Sequence, residues 1–371
     1  MRISVPAEIK NNEYRVAITP AGVKDLINAG HDVLIQAGAG SGSGITDEQY
    51  TQQGATIEKD AAKVWAAGDM VLKVKEPIES EYGYFREGML LFTYLHLAAE
   101  EHLTKALLEA KVTAIAYETV QLPTRALPLL APMSEVAGRL AVIVGANAML
   151  RPNGGPGLLV PGVPGTHPAD IVVLGGGVAG TNAVAMAVGL GARVTVLDTN
   201  IQRLRELDAQ YAGRVQTIAS NAYEIEKAAH TADMVIGSVL IPGAKAPKLI
   251  TNAIVKNMKP GSVLVDIAID QGGCFEDSHA TTHSEPTFTV HNSIFYCVAN
   301  MPGAAPQTST HALTNATAPY VRAIANNGWK DALRADASLA LGLNTHDGHI
   351  TNGPVGEAHG LPSVTVDSVL S

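Results

Sequence analysis

The chain has 371 residues, 46% of them hydrophobic and 16% charged, with a formal net charge of −9. That length exceeds one typical core and points to two domains, and without a basic block the acidic balance argues against nucleic-acid binding. The two cysteines, Cys274 and Cys297, are too few for a disulfide framework and read as free thiols in a reducing compartment.

The opening MRISVPAEIK lacks the apolar core of a signal peptide and reads as a first strand. No apolar run is long enough to span a bilayer, so the expectation is a soluble cytoplasmic protein with no membrane partner. Strands are predicted over residues 3–5, 33–36, 70–75, 89–94 and 112–117. Thr19-Pro20 supplies an N-cap and a first-turn proline for a helix that runs to Ala29 and stops at Gly30. A second helix is predicted over 100–109. Ser134 reads as the N-cap of a helix over 135–150, and the Gly/Pro-rich stretch 152–168 as a loop. Strands resume over 171–174, 193–197, 215–219, 234–239, 263–269 and 294–298. A helix follows over 312–326, and the tail from about Ser338 reads as polar and irregular.

Strands alternating with helices predict parallel sheets. The fold class is therefore α/β, with two doubly wound, Rossmann-like domains joined by long helices and a catalytic cleft between them. Residues 130–306 are expected to form the nucleotide-binding domain. Residues 1–129 with 307–371 are expected to form a discontinuous substrate and catalytic domain.

The strongest physical signal is IVVLGGGVAG. A buried-type strand runs into Gly175-x-Gly177-x-x-Gly180, and a helix-like run follows. Gly175 permits the tight turn, Gly177 lets the backbone approach a pyrophosphate, and Gly180 allows close helix–strand packing. The helix N-terminus offers free N–H groups to the phosphate. Asp198 ends the next strand, where a carboxylate accepts from ribose hydroxyls and repels a 2′-phosphate, favouring NAD over NADP. Arg203, one helical turn on, could meet a phosphate or pack against the adenine. A glycine turn in a nucleotide-free domain is the bland alternative.

Four polar residues sit at strand ends or loops where ligands of open α/β sheets bind. Lys75 reads either as a solvated strand end or as a substrate contact. His96 is a hydrogen-bonded core histidine or an acid/base group. Asp270 serves the turn chemistry of Asp-Gln-Gly-Gly or the reaction. Arg15 is a surface charge or an anion clamp. The histidines show no metal-ligand spacing and the cysteines no C-x-x-C, so no metal site is read.

Several segments together resemble the bacterial alanine dehydrogenase family, nearly end to end and in the same order: KNNEYRVAITPAGV, VLKVKEP, LLFTYLHLAA, AIAYETV, LPLLAPMSEVAGRL, GSVLIPGAKAPKL, VDIAIDQGGCFE, VANMPGAAPQTST and ALTNATAPY. A more distant resemblance extends to the NAD-binding subunit of proton-translocating transhydrogenase. The resemblance implies interconversion of L-alanine with pyruvate and ammonia, using NAD. It implies that Arg15 clamps the substrate carboxylate through its planar fork. Lys75 would hold the carboxylate or carbonyl oxygen, His96 would be the acid/base residue, and Asp270 would assist proton transfer and water or ammonia activation. It places cofactor contacts at Ser134, Val178, Ala179, Asp198, Arg203, Ser220, Val239, Leu240, Ile267, Asp270, Asn300 and Met301. It also implies a homohexamer. Two rivals remain: the transhydrogenase subunit, which needs no amino-acid site, and a non-catalytic NAD-binding sensor. Either would tolerate loss of Arg15, Lys75, His96 and Asp270, and all four are present.

Overall fold

The computed structural model describes residues 1–239 and 246–371. The chain divides into two compact units, Met1–Met133 with Ala305–Ser371, and Ser134–Ala304. The first unit opens with β1 (Arg2–Val5), β2 (Asp32–Gln36), β3 (Thr56–Glu58), β4 (Met70–Leu72), β5 (Leu90–Thr93) and β6 (Thr113–Ala116). Every residue of β4, β5 and β6 is buried, as expected of parallel strands covered on both faces. The Thr19 hydroxyl caps the helix Pro20–Asn28 that crosses from β1 to β2.

The chain passes into the second unit within the helix Ala131–Ala148. That helix starts ahead of Ser134, which is an internal residue and not the N-cap the sequence suggests. Pro132 tolerates this position because the first turn of a helix has no use for its missing N–H. The second unit contributes β7 (Asp170–Leu174), β8 (Arg193–Asp198), β9 (Val215–Ala219), β10 (Met234–Gly237), β11 (Val263–Asp266), β12 (Thr287–Val290) and β13 (Ser293–Tyr296). Its sheet has the order β9-β8-β7-β10-β11-β13-β12, parallel except for the antiparallel edge strand β12. The order reverses between β7 and β10, the point where such sheets bind ligands.

The chain leaves this unit before the helix Pro306–Asn327 and adds β14 (Leu343–His346) and β15 (His349–Ile350). The first unit's sheet then reads β3-β2-β1-β4-β5-β6-β14-β15, with β14 antiparallel to both of its neighbours, β6 and β15. Its reversal falls between β1 and β4. The expectation of an irregular tail is therefore corrected. Leu339, Leu343, Ile350 and Val355 are buried, and the helices Gly353–His359 and Val366–Leu370 follow. The polar strand residues are buried because they are hydrogen-bonded: Thr345 Oγ1 donates to the Val112 carbonyl (2.9 Å), Thr351 Oγ1 to Leu343 (2.7 Å) and Asn344 Nδ2 to Thr119 Oγ1 (2.7 Å). Among the described residues no helix is long and apolar enough to cross a membrane.

Candidate active site

In the first unit the polar side chains gather beyond the carboxyl ends of β1, β4, β5 and β6, at the reversal of strand order. Arg15 lies in the loop after β1, Lys75 and Glu76 after β4, His96 after β5, and Glu118 in the single turn Tyr117–Thr119 after β6. Glu76 joins two of the sequence-predicted residues. One carboxylate oxygen, Oε2, lies 2.9 Å from His96 Nδ1 and 3.9 Å from Lys75 Nζ. The other, Oε1, pairs with Lys10. The Glu76 side chain is 4% exposed and that of Lys75 11%, whereas His96 stays 34% exposed. The imidazole is thus anchored by one nitrogen and reaches solvent with the rest of its ring.

Burial alone would raise the Glu76 carboxyl. The hydrogen bond from His96 and the charges of Lys75, His96 and Lys10 outweigh it and hold the group well below the usual carboxylate range. The same cations that Glu76 orients therefore keep it an acceptor. A depressed folded-state pKa stabilises above the unfolded value and is lost as pH falls through the folded one. Glu76→Gln is thus expected to cost on the order of 3 kcal/mol at neutral pH. The gap from wild type should narrow as pH drops below the ordinary value of 4.5. Denaturant titrations of both proteins at several pH values measure it, and a gap independent of pH would contradict this role.

His96 has a backbone φ of +51°, in the left-handed region that costs a non-glycine residue about 1–2 kcal/mol. Glu118 meets that cost from the neighbouring strand end. Its Oε1 accepts from the peptide N–H of His96 (2.7 Å), and both its oxygens accept from Leu95 (3.2 and 3.3 Å). The Tyr94 ring stacks 6.0 Å from that of His96, centroid to centroid, and its hydroxyl donates to the Leu129 carbonyl. Burial, first, and the charge of Glu118 raise the Tyr94 phenol although the charge of Arg15 opposes them.

Arg15 is only 2% exposed, not the surface charge that was one reading of it. Its Nε and Nη2 donate to the two oxygens of Glu13 (2.7 and 2.5 Å), and Nη1 lies 2.9 Å from Met133 Sδ. The guanidinium fork is therefore held along one edge by an internal carboxylate. Asp270 belongs to the second unit, on the short turn Ile269–Gln271 after β11, where it is exposed.

The second unit carries the nucleotide features. Gly175 has φ +96° and opens the turn after β7, and a Cβ on Gly180 would fall 1.8 Å from the Gly175 carbonyl oxygen. Gly177 is the N-cap of the helix Val178–Gly189 and makes no side-chain cap. A Cβ there would meet nothing within 4 Å, so the space beside the helix terminus is open, as the approach of a pyrophosphate needs. Asp198 Oδ2 accepts from the Gly176 N–H (2.6 Å), and Arg203 Nε donates to the Gly176 carbonyl (2.6 Å). Arg203 also reaches Thr181 Oγ1 (2.5 Å) and Glu206 (2.6 Å), so it lies against the glycine loop. Ser220, Val239, Ile267, Asn300 and Met301 follow β9, β10, β11 and β13 within a few residues. Val178 and Ala179 open the helix after the loop, and Ser134 lies in Ala131–Ala148. Leu240 lies outside the described residues. These residues fit a dinucleotide: an uncapped helix terminus behind a glycine turn, an acidic strand end beside it, and backbone at the successive strand ends.

The sequence reading missed Glu76, Glu118 and Glu13 as members of the cluster. The signal for Glu76 was present, since VLKVKEP puts three charges into an otherwise apolar run. Glu118 carried none, because only the fold brings it to residues 95 and 96, whereas Glu13 lies two residues from Arg15 and its charge in NNEYR went unread.

Residues 4–137 match the family model described as alanine dehydrogenase/PNT, N-terminal domain, and residues 141–353 the corresponding C-terminal domain. The chain is 59% identical over 371 residues to the alanine dehydrogenase of Mycobacterium tuberculosis, covering 100% of each. A solved L-alanine dehydrogenase superposes with a TM-score of 0.94 at 49% identity, covering 97% of this chain and 99% of that one. A transhydrogenase from Sinorhizobium meliloti superposes with a TM-score of 0.80 at 28% identity, covering 95% and 99%.

Proposed function

This chain belongs to the alanine dehydrogenase/PNT family, and from that premise we propose that it catalyses the reversible oxidative deamination of L-alanine to pyruvate and ammonia with NAD. The end-to-end likeness to alanine dehydrogenases carries this reading. The transhydrogenase alternative needs no amino-acid site, yet Arg15, Lys75 and His96 are all retained in one unit with an internal carboxylate supporting each.

When bound, NAD+ supplies the hydride acceptor. Every other service falls to the chain. Arg15 binds the substrate carboxylate through guanidinium nitrogens, which pair well with planar anions. His96, with Nδ1 held by Glu76, presents Nε2 as the proton acceptor for the α-ammonium group, and neutral amine is needed before hydride can leave the α-carbon. The resulting iminium is attacked by water, one proton of which passes to the amino nitrogen, giving a carbinolamine whose nitrogen can leave as neutral ammonia when the hydroxyl loses its own proton. Lys75 then stabilises negative charge on the carbinolamine oxygen as the carbon–nitrogen bond breaks and ammonia departs. A Schiff base on Lys75 is unnecessary because ammonia itself provides the imine nitrogen. Asp270 assists the proton transfers and the activation of water or ammonia. Glycines 175, 177 and 180, Asp198, Arg203 and the strand-end residues named above hold the dinucleotide, together with Leu240.

We further propose that residues 1–129 and 307–371 form the substrate domain and 130–306 the cofactor domain, and that the protein works in the cytoplasm as a homohexamer.

The test is a direct assay. NADH is expected to appear when L-alanine and NAD+ are added at alkaline pH, and NADP+ is expected to be a poor substitute because the Asp198 carboxylate repels a 2′-phosphate. No NADH with L-alanine would end this reading, and equal use of NADP+ would end the assignment of Asp198.

A further inference from the structure

Behind Lys75 and Glu76 lies a second cluster of charges that the reaction does not use. Lys73 is 1% exposed, and its two partners Glu8 and Glu81 are each 3% exposed. Lys73 Nζ lies 2.9 Å from Glu8 Oε2 and 3.0 Å from Glu81 Oε1. Each carboxylate turns its remaining oxygen to the backbone. Glu8 Oε1 accepts from the Val74 N–H at 2.6 Å, and Glu81 Oε2 accepts from the Ile78 N–H at 2.9 Å. Those two peptides flank Lys75, Glu76 and Pro77.

We propose that Glu8, Lys73 and Glu81 form a clasp that positions Lys75 and Glu76 for the reaction, by gripping the chain on both sides of them. The inference rests on the alanine dehydrogenase reading of the site.

The geometry explains why charges are needed. β4 ends at Leu72; beyond it the Lys73 N–H still reaches the Phe92 carbonyl at 3.3 Å, but the N–H groups of Val74 and Ile78 take side-chain acceptors instead. Pro77 offers no N–H, which leaves the grips at Val74 and Ile78 as the hinge points of the segment. A carboxylate can turn one oxygen to an N–H and the other to a cation, and one ammonium shared by two carboxylates fixes both at once. Thr93 Oγ1 adds a hydrogen bond to the Lys75 carbonyl at 3.2 Å, and Tyr94 N–H one to the Val74 carbonyl at 3.3 Å.

Stability alone does not account for such a cluster. A buried ion triad is commonly no more stable than well-packed apolar residues of the same volume. What apolar residues cannot supply is a pair of oriented acceptors at fixed separation. The clasp therefore acts through Lys75 and Glu76, and through Glu76 on the His96 ring. Its members are positioning residues that do not touch the substrate.

The experiment measures L-alanine oxidation, substrate KM, NAD+ affinity and thermal stability for wild type, Glu81→Ala, Glu81→Gln and the double variant Lys73→Met/Glu81→Gln. A displacement of about 1 Å at a reacting group costs roughly 100-fold in rate. Glu81→Ala is therefore expected to lose roughly 10- to 100-fold in kcat/KM for L-alanine, with NAD+ affinity unchanged. Glu81→Gln, whose amide oxygen can still accept from Ile78, is expected to recover most of that loss. The double variant covers the case in which Glu81→Ala does not fold. It should stay folded, because burial already raises the Glu8 carboxyl and that group takes up a proton once its counter-ion is gone, and it should still lose kcat/KM. Variants that melt earlier but keep wild-type kcat/KM would overturn the clasp. An inactive wild type would overturn the functional reading and the clasp with it, whereas an active wild type with unaffected variants would overturn the clasp alone.

Discussion

His96→Ala is expected to slow single-turnover oxidation of L-alanine by roughly 10²- to 10⁴-fold, the usual worth of a positioned acid/base group, with little change in NAD+ affinity. The residues that fit the dinucleotide lie at the strand ends of the other unit, so removing an imidazole after β5 leaves them intact. Within its own unit, the change removes one partner of Glu76 and leaves Lys75 and Lys10 in place, so the carboxylate stays paired with cations. The left-handed backbone at residue 96 and its hydrogen bond to Glu118 remain available to alanine. The variant should therefore fold, and the loss should fall on proton transfer. Lys75→Ala measured in parallel separates the roles, because it should slow collapse of the carbinolamine and also weaken pyruvate binding. Near-normal turnover in both variants, with NAD+ bound, would sink the assignment of both residues.

How legible this site is in the sequence depends on what each kind of signal reports. Apolar runs report burial, and burial continues past the last ladder hydrogen bond. The sequence accordingly predicts strands over 70–75, 89–94 and 263–269, whereas the ladders stop at Leu72, Thr93 and Asp266. The overshoot falls on Lys73, Val74, Lys75, Tyr94, Ile267, Ala268 and Ile269, all but Ile267 buried and all beyond the last paired strand residue. These are the segments that turn away to carry Lys75, His96 and Asp270.

Where polarity and burial part company, the reading fails in the other direction. The strand β14 looks like loop because Asn344 and Thr345 satisfy their polar groups internally. Its turn carries Asp347-Gly348, a dipeptide suited to the positive φ values of +44° and +77° found there, a signal that went unread. The strands β3 and β12 are short and only partly buried, too weak a pattern to stand out. The glycine loop was readable because its constraint is steric and local. Glu118 was not, since its bonds to the backbone of Leu95 and His96 exist only because β5 and β6 are neighbours, and the link from Glu76 to His96 likewise depends on strand order.

Arg15→Ala is expected to do two separable things, because the guanidinium serves the fold as well as the substrate. Burial would lower the Arg15 pKa, but the hydrogen bonds and charge of Glu13, with Tyr94 and Glu8 adding to them, raise it instead, so the side chain is a permanent cation. The Glu13 side chain is fully buried beside it. Removing one partner of a buried ion pair typically costs about 3–5 kcal/mol, because the other charge keeps its desolvation penalty without its counter-ion. Arg15→Ala should therefore lower stability by about that much and also weaken pyruvate binding. The double variant Glu13→Gln/Arg15→Ala removes the stranded charge and should regain much of the stability. It should regain none of the substrate affinity, because the group that meets the substrate carboxylate is still missing. Denaturant melts and pyruvate binding in the presence of NADH, measured on both variants and on Glu13→Gln, separate the two effects. If the double variant bound pyruvate as wild type does, Arg15 would be a structural partner of Glu13 and the carboxylate clamp would have to be sought elsewhere.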